Sequence, residues 1–401
     1  MKKTIMSLIT ADENVDKFYL SNKILIDQLL KKFTNIYILN LYNLKIFTKK
    51  ESIKCNANLP KEIKIINFKN SDELKKFSTQ YKIISISFIG KNLTEFKIQY
   101  FLKKINIKLI MIMYLSQIGN KMTIDVSIKN AVVARKHYFN KGFYHLFRIL
   151  TILNIFPKID LLFESNLEII NFIKNSRSKK IEKYLPFLKI SYFKEVLPVN
   201  SIYFDSINIL KQKKMPENKH IVYVDTHFDH PDRTSREGEV NQINQEIFYN
   251  YLKIFLQKIS KIYQKPIIIA KHPANKSNNK FYDFFEISKN PTNEAIFDSE
   301  LVLFTVSSAI LNAVLLKKKI INISSILLGE YLQNMNRQYV ESLGLVSFDI
   351  DKDISLEKKL LDSELKKSIE NYDQYINNKL ILDGNNSPSK KISDIINERF
   401  F

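Results

Sequence analysis

The sequence predicts an α/β protein built from two Rossmann-like domains, each with a parallel sheet. The chain has 401 residues, which is more than one ordinary core requires and enough for two. Short apolar runs rich in β-branched residues alternate with longer helical segments. That pattern is typical of parallel strands covered by helices on both faces. The alternation starts again in the second half of the chain, which indicates a second sheet.

The restart follows a segment, 195–220, that interrupts the pattern with two prolines and a lysine-rich run. We interpret this segment as the hinge. We therefore expect an N-terminal α/β domain over 1–200 and a C-terminal α/β domain over 201–380. A C-terminal helix over 381–401 completes the chain, and the two domains are expected to face a cleft.

In the N-terminal half, apolar runs predict strands, and residues recurring at helical spacing predict an early helix over 17–33. The predicted strands are 5–9, 36–39, 63–66, 83–88 and 107–114.

The C-terminal half repeats this order, with strands predicted at 221–224, 266–270, 300–304 and 319–323. Helices are predicted at Gln245–Tyr263, 308–316, 354–379 and 388–400. For the longest helix we expect one apolar face, formed by Ile247, Tyr251, Ile254, Phe255, Ile259 and Ile262.

The net charge of +21 has three interpretations. A general excess of lysine is the first, because the lysines are spread along the chain. Contact with an anionic membrane surface is the second, and the basic, aromatic stretch 134–158 favours it. Nucleic-acid binding without catalysis is the third, but no recognition motif supports it.

The single cysteine, Cys55, excludes an internal disulfide framework and a cysteine-rich zinc site. The apolar stretch at the N-terminus ends by Thr10, too soon for a signal peptide, and no run reaches the length of a spanning helix. We expect a cytoplasmic protein that contacts the inner face of the cytoplasmic membrane.

Three polar segments, each directly after a predicted strand, are candidates for chemistry. The first is the acidic loop Asp225–Asp232, with three aspartates and two histidines in eight residues. It can supply a general base. A metal site or a plain polar turn are the alternatives.

The second segment is Lys271-His272-Pro273, where an imidazolium can hydrogen-bond a phosphate. The third is Thr305-Val306-Ser307-Ser308, between a strand and a helix. Hydroxyl residues at such a position cap the helix, and a helix N-terminus favours phosphate. Either segment taken alone is also compatible with a structural role.

These three segments, in this order, resemble the acidic, His-Pro and Ser-Ser motifs of bacterial glycosyltransferases of the GT-B fold, in particular the sialyltransferase-like enzymes of capsule and lipooligosaccharide synthesis. The resemblance covers roughly residues 220–325, and it implies that the C-terminal domain binds the nucleotide sugar while the N-terminal domain lies on the acceptor side. It implies that Asp229 or Asp232 is the base, that His272 acts on the donor phosphate and that Ser307 and Ser308 bind it.

By the same analogy, Lys271, Pro273, Thr305 and Glu294 belong to the substrate- and nucleotide-binding set. The implied donor is a CMP-activated nonulosonic acid, transferred with inversion to a surface glycan or glycolipid. This donor is a substrate, so no cofactor and no metal are implied. The loop departs from the family pattern, in which the acidic motif ends in glycine, and Asp225 therefore also stays open as the base.

Wall-teichoic-acid polymerases, which use CDP-glycerol, carry similar His-Pro and serine motifs, so a polyol phosphotransferase is the alternative. The expected partners are a nucleotide-sugar donor, a glycan or glycolipid acceptor, an anionic membrane surface and a second copy of the chain, with no nucleic acid.

Overall fold

The computed structural model of the protein describes residues 2–10, 15–42, 59–88, 93–113, 158–175, 193–213, 215–226, 228, 245–272, 275, 279–352 and 357–401. The basic, aromatic stretch predicted for membrane contact lies outside these residues, except for its last position, Lys158. Within the described part of the chain, no helix is both long and apolar enough to span a bilayer.

The chain forms two compact units. Among the described residues, the first unit includes those before 116, those from 158 to Asp205, and Ile381–Phe401, while the second includes those of Ser206–Leu380. The C-terminal helix, which the sequence pattern set apart as its own segment, thus belongs to the first unit. Each unit contains one parallel sheet, so the predicted α/β fold class with two Rossmann-like sheets is confirmed.

The first unit has a seven-stranded sheet in the order β3-β2-β1-β4-β5-β6-β7, and all pairs are parallel. The strands are β1 Lys3–Thr10, β2 Ile36–Asn40, β3 Ile63–Asn67, β4 Tyr81–Ser87, β5 Lys108–Ile112, β6 Leu161–Glu164 and β7 Val196–Pro198. The helices are α1 Val15–Ser21, α2 Lys23–Leu30, α3 Ser71–Gln80, α4 Leu93–Lys104 and α5 Leu167–Asn175.

The apolar run of strand β1 is continuous because both faces of the strand are buried. Met6 and Leu8 belong to the core on one face of the sheet, whereas Ile5 and Ile9 belong to the core on the other. Successive side chains of a strand point to opposite faces, so a strand covered on both sides must be apolar at every position.

The predicted helix over 17–33 is two helices, α1 and α2, separated at Asn22. The Asn22 side-chain amide donates to the carbonyl oxygen of Phe18 at 2.8 Å. An asparagine side chain that bonds to nearby backbone competes with helix continuation, which accounts for the break.

Helix α6, Tyr203–Lys213, follows β7, so the segment predicted as a hinge contains a strand and a helix. The chain passes from the first unit to the second within α6. It returns after Leu380, and helix α12, Pro388–Phe400, places Ile392 and Ile396 in the first unit's core.

Buried Asn200 fixes the segment that leads into α12. Its Nδ2 donates to the carbonyl oxygens of Gly384 and Asn386 at 2.9 and 2.8 Å. Its Oδ1 accepts from the N–H groups of Leu382 and Asp383 at 2.8 Å each. One amide therefore satisfies four backbone groups, which water would otherwise have to satisfy.

The second unit has a six-stranded parallel sheet in the order β10-β9-β8-β11-β12-β13. Its strands are β8 His220–Val224, β9 Ile267–Ala270, β10 Glu286–Ile287, β11 Ser299–Phe304, β12 Lys319–Ser324 and β13 Val346–Asp349. Its helices are α7 Gln245–Tyr263, α8 Thr292–Phe297, α9 Ile310–Leu315, α10 Glu330–Leu343 and α11 Lys358–Tyr375, with a 3₁₀ turn at Lys280–Phe284 and a π-helical turn at Ile376–Leu380.

Helix α7 has the predicted bounds, but the predicted burial is wrong for half of the residues assigned to its apolar face. Ile247, Tyr251 and Ile254 are exposed. The helix instead buries a larger, aromatic-rich set against the sheet: Phe248, Tyr249, Leu252, Phe255, Leu256, Ile259 and Tyr263. Both sets recur at helical spacing, and the face with more apolar area is the one that leaves water.

Candidate functional site

Strands β9, β8 and β11 are neighbours in the second sheet, and each of the three predicted polar segments follows one of them. Because the strands are parallel, their carboxyl ends lie at one edge of the sheet. Open α/β sheets bind ligands outside that edge. The three segments are therefore brought to the same edge by the topology.

Asp225 immediately follows β8 and is 2% exposed. Its carboxylate accepts from the backbone N–H of His272 at 3.3 Å and from Asn275 Nδ2 at 2.8 Å. The Tyr282 hydroxyl donates to it at 3.2 Å. One buried carboxylate thus fastens the loop after β9 to the end of β8.

Thr226 makes the equivalent link to β11. Its Oγ1 donates to the carbonyl oxygen of Val306 at 3.1 Å and accepts from the Val306 N–H at 3.2 Å. One residue before Val306, buried Thr305 has its Oγ1 3.3 Å from the Tyr223 hydroxyl. Consecutive residues of β8 and its loop therefore hold both flanking loops.

Two asparagines hold the loop after β11 from its other side. Asn322 Nδ2 and Asn336 Nδ2 donate to the carbonyl oxygen of Thr305 at 3.1 and 3.0 Å. Asn336 also donates to the carbonyl oxygen of Ile323 at 2.8 Å. Both side chains are buried. The path of the Thr305–Ser308 loop is thereby fixed while its serines lie nearer the surface.

Ser307 is half-buried and Ser308 is exposed. The expectation that they cap the following helix is wrong, because the N-cap of α9 is Ala309 and makes no side-chain cap hydrogen bond. Instead, Ser307 Oγ accepts from the Ala309 N–H at 3.3 Å, a turn within the loop. The loop extends two residues further than predicted before the helix begins.

Lys271 and His272 are both half-buried at the end of β9. The Lys271 Nζ lies 4.4 Å from the centroid of the Tyr282 ring, a cation–π contact. The carbonyl oxygen of His272 accepts from the Asn275 N–H at 2.8 Å. Since His272 is held through both its N–H and its carbonyl, its backbone position is fixed by the buried carboxylate network.

Glu294 is the predicted site residue that the structure does not bring to this edge. It lies in α8, and the carbonyl oxygen of the next residue, Ala295, is 3.0 Å from Nε2 of His220. His220 is the first residue of β8, so this part of α8 lies toward the amino-terminal edge. Asp229, Asp232 and Pro273 lie outside the described residues.

Burial raises the pKa of the Asp225 carboxyl, although hydrogen bonds from Asn275, His272 and Tyr282 oppose this. Burial and the nearby Asp225 charge also raise the pKa of Tyr223 and of Tyr282. Both phenols therefore remain protonated beside the carboxylate. Among the described residues, no group of three or more His, Cys, Asp or Glu side chains is arranged to hold a metal ion.

Sequence reasoning missed the residues that hold the loops: Tyr223, Asn275, Tyr282, Asn322 and Asn336. Asn322 had a signal, because it is a polar residue within the apolar run of β12. Asn275 lies three residues after His272, but its partner Asp225 is fifty residues away in sequence. Periodicity does not reveal a pairing at that separation.

The known proteins that resemble this chain are similar in fold. No family model matches the chain, and no curated protein matches it in sequence. Two structures of the wall teichoic acid polymerase TagF soaked with CDPG align with 99% of this chain and 88% of their own, with TM-scores of 0.53 and 0.54 at 15% and 17% identity. The chain has the GT-B fold.

A Listeria monocytogenes protein assigned as a UDP-N-acetylglucosamine 2-epimerase is similar at the same level, with a TM-score of 0.52 and 10% identity over 99% of this chain and 97% of that one. Identities this low relate the folds alone.

The raised pKa of Asp225 gives a pH-dependent prediction. Because the pKa of Asp225 is higher in the folded than in the unfolded protein, the protonated carboxyl stabilises the fold at low pH. This stabilisation is lost as pH rises through the folded-state pKa. We expect Asp225→Asn to destabilise the protein most at low pH, and by less as pH rises. Urea unfolding of the variant and wild type, from pH 4.5 to 7.5, measures the difference.

Asp362→Asn is the matched control with the opposite sign. Burial alone would raise the pKa of Asp362, but hydrogen bonds from Lys319 and Tyr263 lower it. Its contribution is fully present above the ordinary aspartate pKa of about 3.9 and is lost only as pH falls through the lowered value, so the destabilisation by Asp362→Asn should be nearly constant from about pH 4.5 to 7.5. Parallel pH profiles for the two variants would contradict the assignment.

Proposed function

We propose that this protein is a glycosyltransferase that uses a nucleotide-activated donor, with a CMP-activated nonulosonic acid as the leading donor and a surface glycan as acceptor. The observation that carries the proposal is the convergence of the β8, β9 and β11 loops at one sheet edge. These loops contain the acidic, His-Pro and Ser-Ser segments in the order that the resembling enzymes have.

In the proposed reaction, an acceptor hydroxyl attacks the anomeric carbon as the bond from that carbon to the donor phosphate breaks, and CMP leaves. The base that takes the hydroxyl proton is assigned to Asp229 or Asp232. Asp225 is not proposed as the base, since its buried carboxylate already accepts from His272, Asn275 and Tyr282. Its role is to position the His272 loop.

His272 and the serine pair are proposed to act on the leaving phosphate. An imidazolium at the end of β9 can donate to a phosphate oxygen as charge develops on it. The hydroxyls of Ser307 and Ser308, on a loop held by buried Thr305, add neutral donors. Lys271 adds positive charge nearby, and its Nζ makes a cation–π contact with the Tyr282 ring.

The second candidate is a polyol phosphotransferase that uses CDP-glycerol. The fold similarity to the TagF polymerase favours it. In that reaction the acceptor oxygen attacks phosphorus instead of carbon, and CMP again leaves. Cytidine-nucleotide binding is therefore common to both candidates, and only the group transferred distinguishes them.

The donor class is tested by thermal unfolding in the presence of CMP, CDP, UDP or GDP. A ligand that binds only the folded state at a hundred times its Kd stabilises it by about 2.7 kcal/mol, roughly 5–10 °C in Tm for a domain of this size. We expect this shift with CMP and CDP. A shift with UDP alone would contradict the cytidine assignment, and turnover of radiolabelled CMP-sugar against CDP-glycerol then separates the two candidates.

His272→Ala should lower the transfer rate by about 10²–10⁴-fold, the usual contribution of a positioned acid or base. Tm should be unchanged, because the backbone of residue 272 still donates to Asp225. Ser307→Ala combined with Ser308→Ala should weaken CMP binding, while Ser363→Ala, an exposed serine on α11, serves as the control. Full activity in His272→Ala would remove the proposed role.

A further inference from the structure

The second unit has a cavity of about 550 Å³ at the amino-terminal edge of its sheet. Its lining residues include Asn218 before β8, Glu300 at the start of β11 and Lys319 at the start of β12. The loops of the proposed donor site lie at the other end of the same strands. Strand β11 alone has six residues, so the two edges are roughly 17 Å apart.

The cavity combines cations with apolar walls. Lys211, Lys317 and Lys318 line it together with Met215, Pro216 and Leu316. Met215 is 83% exposed, so its apolar surface is open to solvent beside the cavity. A volume of this size is in the range of small-molecule sites, and such sites pair apolar walls with a few placed polar groups.

Lys318 has neutral hydrogen-bond partners among the described residues. Its Nζ donates to the carbonyl oxygen of Ser299 at 2.6 Å and to Asn218 Oδ1 at 3.0 Å, and both acceptors are neutral. An ammonium has three N–H donors, so among the described residues one donor of Lys318 remains after these two bonds. By contrast, Lys317 and Lys319 form ion pairs with Asp373 and Asp362, each at 2.7 Å.

The backbone around Lys318 is held in a conformation that ordinary residues rarely adopt. Lys317 has φ 51° and Asn218 has φ 50°, both in the left-handed region. At Lys317 this closes α9, because the Lys318 N–H donates to the carbonyl oxygen of Ala313 at 3.0 Å. Glycine is the usual residue at such a helix end. A lysine at this position instead adds a charged side chain to the cavity lining.

We propose that this cavity binds a small organic anion. Lys318 and Lys211 hold the acidic group of the anion. Its apolar portion contacts Met215, Pro216 and Leu316. The site is separate from the proposed donor site and does not depend on the proposed function. An acidic group there accepts from the remaining N–H of Lys318, whose two hydrogen-bond acceptors among the described residues are neutral.

The protonation of Lys318 gives the site a pH dependence. Burial lowers the pKa of Lys318 to about 8, against the attraction of Asp298 and Glu300. Lys211 and Lys317 line the same cavity. Further charged groups near Lys318 are Lys265 and Lys319, both paired with Glu300, and His220 on β8. Burial lowers the pKa of His220, so its charge changes at a lower pH than that of Lys318.

The probe is 1-anilinonaphthalene-8-sulfonate, an aryl sulfonate that remains anionic from pH 6 to 9.5 and whose fluorescence increases on binding. We expect one saturable site in the wild type. Lys318→Gln should weaken binding by about tenfold or more, the loss of one charge-assisted hydrogen bond. Lys318→Arg should bind within about threefold of the wild type, and Lys366→Gln, an exposed lysine on α11, should not change binding.

Binding to the wild type should fall as pH rises through about 8. In Lys318→Arg that fall should disappear, because arginine stays charged over this range. Equal binding by Lys318→Gln and Lys366→Gln would overturn the proposal. If Lys318→Gln does not fold, the arginine variant decides: an unchanged pH profile in Lys318→Arg overturns the proposal equally.

Discussion

The site depends on the link between the end of β8 and the loops on either side of it. Asp225 holds the backbone of His272, and Thr226 holds both polar backbone groups of Val306. Parallel pairing brings the three loops to one edge, but it does not determine the path of each loop beyond its strand. Here the side chains of Asp225 and Thr226, which directly follow β8, determine those paths. The positions of His272 and Ser307 therefore depend on the end of β8.

These hydrogen bonds are costly to break because the groups that form them are buried. A polar group without a partner in a dry core costs about 1–3 kcal/mol, so alternative loop paths that break the bonds of Asp225 or Asn336 are disfavoured. Tyr282 joins the set by donating to Asp225 and accepting from Asn275 Nδ2 at 2.6 Å. The phenols beside the carboxylate remain protonated, so the network keeps its donors at neutral pH.

The sequence predicted the strands of both sheets that are longest and most apolar, since continuous burial leaves a continuous apolar run. It did not predict strands β6, β7, β10 and β13, each of four residues or fewer. It also did not predict the aromatic face of α7, because Ile247 and Phe248 fit helical periodicity equally well. The site segments were found by their position after strands. The asparagines and tyrosines that hold them were not, since partners such as Asp225 and Asn275 meet only in the folded chain.

We propose that one nucleotide site lies at the carboxyl-terminal edge of the second sheet, built by the loops after β9 and β11 together. Amide hydrogen exchange with and without CMP tests this directly, since a ligand slows exchange where it suppresses local opening. CMP should slow exchange at both 271–272 and 306–309, while 316–318 at the opposite edge should be unchanged. Protection confined to 316–318, or to only one of the two loops, would contradict the claim.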